Sequence, residues 1–542
     1  MKKLRQLWTC FGIIALSVFV SAKECEFDCA PPYFAEGFVG LCHASGKTAL
    51  ANSQAPFSSM SPELVSAFRM ERTYVPNAFK GGAFQATLFG GQSTHATQKN
   101  LAAYFFPNGK TVLSVADDDL VDNFNKKKDL LAQNFNIFSK NGDFRSEISI
   151  APEQSVVGCG FYWRQSLLHD PLVGDGLWLS VSTPLLQVRN RMNLHEDVIN
   201  TGGGPDESAG VPVVANMAQA FNQDSWLFGK ITDCVMKKTG LGDIEFKFGY
   251  DQYAFDEPSH MELYLGVIIP TSNKNKGEYI FEPIIGRGRH AGLMFGGALG
   301  KNMMHSYAQE AKFLWELAVH GEYLFKNKQV RSFDLMHKPW SRYLPVYASK
   351  EQAQEAFSLQ FSDRNKAQNL STPGINVLTQ HVNVTPGFSC DMNSAFVIEY
   401  ENIQAEVGYN FFLKRAECVT LACPWEPVVA IKYVNGVGQT NPVRDIAGNK
   451  YFEQFISNNS DEELVPVALA DFDQSIIYET DLDLLSATTP ALLAHTLYAT
   501  VGAAFDDKKY PLMVSGGISY TFSQDNAVIG KWLMWLKSGF SF

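Results

Sequence analysis

Apolar and polar residues alternate with a two-residue period through several long stretches of this chain. In Asp243–Tyr250, Ile244, Phe246, Phe248 and Tyr250 share one face while Glu245 and Lys247 share the other. In Ala311–Phe325, Phe313, Trp315, Leu317, Val319, Tyr323 and Phe325 oppose Lys312, Glu316, His320 and Glu322. Ala405–Lys414 sets Val407, Tyr409, Phe411 and Leu413 against Glu406, Asn410 and Lys414. Leu512–Phe522 sets Leu512, Val514, Ile518, Tyr520 and Phe522 against Ser515, Ser519 and Thr521. A period of two is that of a β-strand with one apolar side. Such runs exceed the about five or six residues of an ordinary globular strand and match the roughly 9–11 that a tilted strand needs to cross a bilayer. Charges of both signs on the polar faces suit a wet lumen better than a dry core. The alternative is an antiparallel sheet with one solvated face.

Further strands are expected at Ala83–Phe89, Tyr104–Val115 (broken by an Asn108-Gly109 hairpin turn), Glu147–Ile150, Val156–Leu167 and Leu177–Val188. The period fails over 190–240, where Thr201-Gly202-Gly203-Gly204-Pro205 marks a loop and Val214–Phe228 has helical character. It fails again over 327–375 and 424–490, which are polar and carry Pro and Asn, with a helix expected at Lys350–Leu359. The pattern predicts an all-β fold, a transmembrane antiparallel β-barrel of roughly 12–16 strands with long extracellular loops. Residues 81–542 would form it, with loops near 190–240, 327–375 and 424–490.

The two ends agree with that reading. Lys2, Lys3 and Arg5 precede an apolar run from Leu7 to Val20, and Val20-Ser21-Ala22 offers a small-residue cleavage site, so residues 1–22 read as a secretory signal peptide. Residues 23–80, rich in Cys, Pro and Ser, read as an N-terminal periplasmic or plug-like segment. At the other end Trp532, Met534, Leu536, Phe540 and Phe542 share one face of a strand interrupted only by Ser538. This stretch resembles the C-terminal signature strand of Gram-negative outer-membrane β-barrels, with its terminal Phe. The resemblance implies export to the outer membrane and recognition by the barrel-assembly machinery through the strand ending at Phe542.

Composition changes the picture little. No later segment has the ~20 uninterrupted apolar residues of a membrane-spanning helix, and a mean hydropathy of −0.10 hides a barrel because its two faces alternate. Aromatic residues make up 13%, with 40 Phe, 20 Tyr and 9 Trp, which suits membrane-interface girdles. A net charge of −11 argues against a nucleic-acid partner. Of the 9 Cys, Cys10 falls in the signal peptide, and an even number remains for disulfides in an oxidising compartment. Cys418 and Cys423 are the candidate pair, closing a loop around Thr420-Leu421-Ala422.

Two neighbouring segments carry a narrower resemblance. Gly240-Leu241-Gly242-Asp243 leads into an alternating strand and is followed by Leu265-Gly266-Val267-Ile268-Ile269-Pro270-Thr271. The order is similar to that in a family of outer-membrane transporters for hydrophobic or aromatic compounds, related to the long-chain fatty-acid transporters. In that family the Gly-Asp turn opens one barrel strand and the Pro-Thr pair closes the next. The similarity spans roughly residues 240–300 and implies transport without naming a ligand.

Candidate chemistry is sparse. Glu245, Lys247, Lys312, Glu316, Glu322, Glu406 and Lys414 are the candidate lumen-lining charges, which would bias solute entry. Arg287, Arg289 and His290, in Gly286-Arg287-Gly288-Arg289-His290, form a candidate cationic rim cluster for acidic groups; the competing account is a solvated turn. The same run lacks the following helix of a dinucleotide site. Gly46-Lys47-Thr48 lacks the upstream Gly of a phosphate-binding loop, since Leu41 stands there. Asp117, Asp118, Asp119 and Asp122 lack the spacing of a calcium loop. No Gly-x-Ser-x-Gly or His-Glu-x-x-His motif occurs, so neither an enzyme, a metal nor a cofactor is expected. The expected function is passive or facilitated passage of small molecules, with outer-membrane lipid and small solutes or hydrophobic ligands as partners. The alternative is a surface-exposed adhesion or structural protein that uses the barrel as an anchor.

Overall fold

The computed structural model describes residues 45–50, 81–117, 130–170, 175–209, 212–254, 259–306, 311–359, 370–431, 476–505, 510–522 and 526–542. The chain divides into two compact units, Met1–Cys42 and His43–Phe542, and every described residue belongs to the second. The expected signal peptide, most of the expected N-terminal segment, and Asp118, Asp119 and Asp122 lie outside the described residues.

The long alternating runs pair in sequence order into a closed ring of 12 antiparallel strands. They are β1 (Gly82–Ser93), β2 (Glu153–Asp170), β3 (Asp175–Arg191), β4 (Ile244–Ala254), β5 (Ser259–Ile269) and β6 (Gly292–Ser306). The ring continues with β7 (Ala311–Leu324), β8 (Gly387–Tyr400), β9 (Ile403–Lys414), β10 (Leu492–Phe505), β11 (Leu512–Phe522) and β12 (Lys531–Ser541). β1 closes it by pairing with both β2 and β12, and Gly82 and Phe542 exchange backbone hydrogen bonds of 2.8 and 2.9 Å at the seam. Closure removes the open edge that any flat sheet presents.

The strand period sets what each wall faces. On β9, Glu406, Asn410 and Lys414 are buried inside while Val407 is 63% exposed outside. On β12, Leu533, Trp535 and Lys537 turn in, and Trp532, Met534, Leu536 and Phe540 turn out. An apolar exposed outer wall around a polar interior is what a lipid solvent selects. Inward rings are accommodated by small neighbours: Tyr498 on β10 lies flat over Gly408, its direct cross-strand partner, where an added Cβ would stand 2.2 Å from Cζ.

One end of the ring has only brief connections, such as 401–402 between β8 and β9; the other carries 94–152, 192–243, 270–291, 325–386, 415–491 and 523–530. The described parts of these connections fold into a cap. It contains α1 (His95–Phe105), a four-stranded sheet that includes Arg145–Ser149 and His195–Asn200, a three-stranded sheet of Asn327–Ser332, Thr379–Thr385 and Cys418–Leu421, and α2 (Lys350–Leu359). One apolar core gathers Phe105, Phe106, Phe135, Phe221, Trp226, Trp340 and Tyr343; a second centres on Phe333, Leu378, Val382, Val384 and Ile477.

The sequence reading of Tyr104–Val115 as a hairpin is corrected here. Tyr104 and Phe105 end α1, which Thr94 caps by accepting from the Thr97 N–H, and only Val112–Ala116 is strand. Leu101, Ala102 and Phe105 share the buried face of that helix, a spacing that a two-residue template overlooks. The Asn108-Gly109 turn does form, with the Lys110 N–H donating to Asn108 Oδ1 at 3.0 Å. Within 214–228, only Met217–Ala220 is helical.

Gly46-Lys47-Thr48 packs into the cap. Its backbone N–H groups donate to Phe106, Tyr104 and Ser486 carbonyls, so they are committed to the fold rather than turned to a phosphate. The Cys418–Cys423 disulfide is also corrected, because Cys423 carries a free, exposed thiol. Cys418–Leu421 runs as an extended strand paired with Val382–Thr385. At about 3.3 Å per residue the strand carries Leu421 roughly 10 Å from Cys418 instead of folding Thr420-Leu421-Ala422 into a tight loop.

Candidate functional site

The interior of the barrel is where the charged residues converge. β4 turns Glu245, Lys247 and Asp251 inward at alternate positions, and β7 does the same with Glu316, His320 and Glu322. Arg287 reaches them from the 270–291 connection. Its Nε donates to Glu322 Oε2 and its Nη2 to Glu245 Oε1, both at 2.8 Å, and its Nη1 lies 3.8 Å from Asp243 Oδ2. These four side chains are 0–9% exposed. Burial opposes the charged guanidinium, but Glu322, Glu245 and Asp243 outweigh it and hold Arg287 above its ordinary pKa.

Local structure explains how Arg287 arrives there. Gly286 and Gly288 take φ of +64° and +63°, tightening the turn so that the side chain between them projects as a finger. Asp243 fixes the base of that finger by accepting the Arg287 N–H at 2.8 Å and the Ser272 N–H at 3.2 Å. Asp243 is free to do so because the chain steps out at Gly242-Asp243. β3 pairs with β4 over Asp175–Ser182 and with Met236–Leu241 over Leu185–Asn190. Ser182 and Ser389 donate to the remaining oxygens of Glu245 and Glu322, at 3.3 and 3.0 Å.

Below this cluster, Lys247 Nζ lies 3.7 Å from Glu245 and 4.6 Å from the centre of the Tyr264 ring. The Tyr264 hydroxyl is 2.7 Å from His320 Nδ1. Nearer the short-turn end, Arg164 bridges Asp251 at 2.6 Å and Glu262 at 3.0 Å while resting 4.1 Å from the centre of the Trp178 ring. Across the lumen, Asn393 donates to the Tyr498 hydroxyl at 2.9 Å, and that hydroxyl donates to Glu406 at 2.6 Å. These inward side chains are nearly all buried, Lys537 completely, so the interior is a packed polar network rather than the wet lumen read from the sequence.

At the cap junction, Glu417 binds Lys414 at 3.3 Å, Arg331 at 3.5 Å and the Thr489 hydroxyl at 2.8 Å. Burial pushes its pKa up, but Lys414 and Arg331 prevail and bring it down to about 2.

The chain is a β-barrel of the outer-membrane type. No family model matches it, and no curated protein does. Solved structures to which the chain is similar include an outer-membrane channel from Pseudomonas putida F1 (7% identity, TM-score 0.36, covering 85% of this chain and 96% of that one). Another is the transport unit of the autotransporter AIDA-I from Escherichia coli (5%, 0.32, 90% and 94%). A third is a Pseudomonas aeruginosa FadL homologue (8%, 0.28, 91% and 98%).

Within the barrel the sequence-derived sites divide. Glu245, Lys247, Glu316, Glu322, Glu406 and Lys414 are buried and turn inward, and the structure joins Glu245, Lys247 and Glu322 in one network. Lys312, with a side chain 45% exposed, sits at the short-turn mouth 3.5 Å from Glu399. Arg287, Arg289 and His290 do not form a cationic rim cluster. Arg287 is buried on carboxylates, Arg289 points to solvent, and His290 is buried against the Phe325 carbonyl and Gln329 at 2.8 Å each. Burial is the largest influence on the His290 imidazole and depresses its pKa.

Sequence reasoning missed Arg164, Asp251 and Glu417, and read Asp243 only as part of a turn. Asp251 keeps the parity of Glu245 and Lys247 and was within reach of the strand template. Arg164 and Glu417 depend on which strands and connections meet, and a single sequence does not carry that information.

Proposed function

We propose that this barrel passes small molecules across an outer membrane, entering or leaving through the polar interior. The observation that carries the reading is an exposed apolar outer wall around a polar interior to which β2, β4, β5, β7, β8, β9 and β12 contribute buried charges. A membrane anchor alone needs the first and has no use for the second. Inside, Glu245, Asp251, Glu262, Glu316, Glu322, Asp391 and Glu406 outnumber Arg164, Lys247, Arg287, Lys414 and Lys537, and the excess grows when Arg287 withdraws, which favours cations over anions once the path opens. The cap and the Arg287 finger keep the path shut at rest. Outer-membrane lipid surrounds the apolar wall, and the strand ending at Phe542 serves recognition by the barrel-assembly machinery.

The test is single-channel conductance of the refolded protein in a planar bilayer. Discrete steps with cation preference support passage. Insertion without current, even after the finger is removed, rejects it.

A second reading is surface adhesion with the barrel as anchor, favoured by a cap that has two apolar cores of its own. Protease removal of the cap from intact cells would abolish surface binding and leave permeability unchanged under that reading.

A further inference from the structure

We propose that the cradle formed by Asp243, Glu245 and Glu322 is a binding site for the guanidinium or primary ammonium group of an organic cation, and that Arg287 fills it as an internal stand-in ligand. The three carboxylates come from separate places in the fold: the step before β4, β4 itself and β7. Two of them accept separate N–H groups of one guanidinium at 2.8 Å, and the third lies 3.8 Å away. That forked geometry suits a planar, multiply donating cation.

The cradle cannot stand empty without cost. Buried carboxylates that lose their cation are left uncompensated in a medium that solvates them poorly. Lys247, 3.7 Å from Glu245 and held near the Tyr264 ring, balances only part of the charge. Withdrawal of the finger therefore favours entry of another cation of similar shape.

A second observation extends the site beyond the finger's own reach. His320 Nε2 is buried, has no hydrogen-bond partner, and lies 4.0 Å from Glu322 Oε2. A ligand larger than a bare guanidinium gains a polar contact there that Arg287 does not make. The finger projects from a tight turn rather than from a strand. That turn has positive φ at Gly286, Gly288 and Arg289, and its backbone is held by Asp243 and Ser272 on one side and by Gln329 and Asn327, donating to the Gly288 and Arg289 carbonyls, on the other.

This inference deepens the passage reading and rests on it for the ligand's route, so binding and conduction are measured separately. The binding test is thermal unfolding of refolded full-length Arg287→Ala with methylguanidinium as probe and tetramethylammonium, which cannot donate hydrogen bonds, at equal ionic strength. Methylguanidinium is expected to restore at least half of the midpoint lost by the substitution, tetramethylammonium to restore none, and wild type to be unmoved by either. Adding Glu322→Gln should raise the probe concentration needed roughly tenfold, the equivalent of one charge-assisted hydrogen bond. Equal response to both cations overturns the site.

If Arg287→Ala does not refold alone, refolding is repeated with each cation present and scored by heat-modifiable electrophoretic mobility. Recovery with methylguanidinium only supports the site, and recovery with neither overturns it. Binding without any conductance would reject the passage reading and leave the site intact. Conductance without binding would reject the site alone.

Discussion

The carboxylate of Glu417 lies 3.3 Å from the ammonium of Lys414, the last residue of β9, where the wall of the barrel gives way to the cap. Arg331 joins from the three-stranded sheet and Thr489 from the approach to β10, so one acid ties the barrel to two parts of the cap. Replacing it as Glu417→Gln leaves Lys414 and Arg331 without their charge partner and should cost about 3 kcal/mol. The same carboxylate has a folded pKa of about 2 against an ordinary 4.5. Its contribution is therefore complete above the ordinary value and disappears as pH falls toward the folded one. Thermal melts in detergent across that window should show a shallower acid slope in Glu417→Gln than in wild type.

Arg342 and Asp334 form a fully buried pair in the cap, 3.0 Å apart and each about 1% exposed. Burial raises the Asp334 pKa against the pull of Arg342, to about 6 from an ordinary 3.8. A raised acid binds its proton more tightly in the folded state, so stability from this group falls as pH rises between those values. Arg342→Met should cost about 3–5 kcal/mol at neutral pH, because a lone carboxylate stays behind. That cost should shrink below the ordinary Asp334 value, where both states carry the protonated acid. Melting midpoints at the two pH values check this.

Gly408 has no room for a side chain. A Cβ there would meet Tyr498 Cζ at 2.2 Å, and the displaced ring would lose Glu406 and Asn393. Gly408→Ala should destabilise the barrel by about 1–3 kcal/mol. Unfolding by denaturant, with Tyr498→Phe as a comparison that removes only the hydroxyl, separates packing from hydrogen bonding.

Leu265, 70% exposed on the outer wall of β5, is placed to face lipid. Leu265→Arg should cost about 2–4 kcal/mol in a bilayer. The measurement is reversible unfolding from liposomes. A cost near zero would mean that this wall meets water.

Cys423, free and exposed, should take up a maleimide in folded protein without prior reduction. Mass analysis of the peptide carrying Cys423 reads the label directly.

Legibility followed the physics of the period. Where a strand spans the wall with one side in lipid, as in Ala405–Lys414 and Leu512–Phe522, alternation alone gives both the element and the direction of each side chain. The helix at Lys350–Leu359 was also recoverable, since Glu351, Ala353, Gln354, Glu355 and Ala356 all favour helix. The cap was not legible, because its short strands and single helical turns draw their stability from aromatic packing among distant segments. The site was half legible. Glu245 and Glu322 announce themselves by parity, but nothing in Gly286-Arg287-Gly288 says that the arginine turns inward; that depends on Asp243, which the same sequence presents as an ordinary turn residue.

The seam between β1 and β12 has a consequence in time rather than in space. Gly82 and Phe542 lie at opposite extremes of the described strands, yet they share a reciprocal pair of hydrogen bonds. The ring closes only when its most distant partners meet, and a pairing of such large sequence separation is slow to form. Until then both β1 and β12 offer bare edges to any passing strand. Keeping those edges apart from other chains until they find one another would protect the unclosed ring from pairing with the wrong partner.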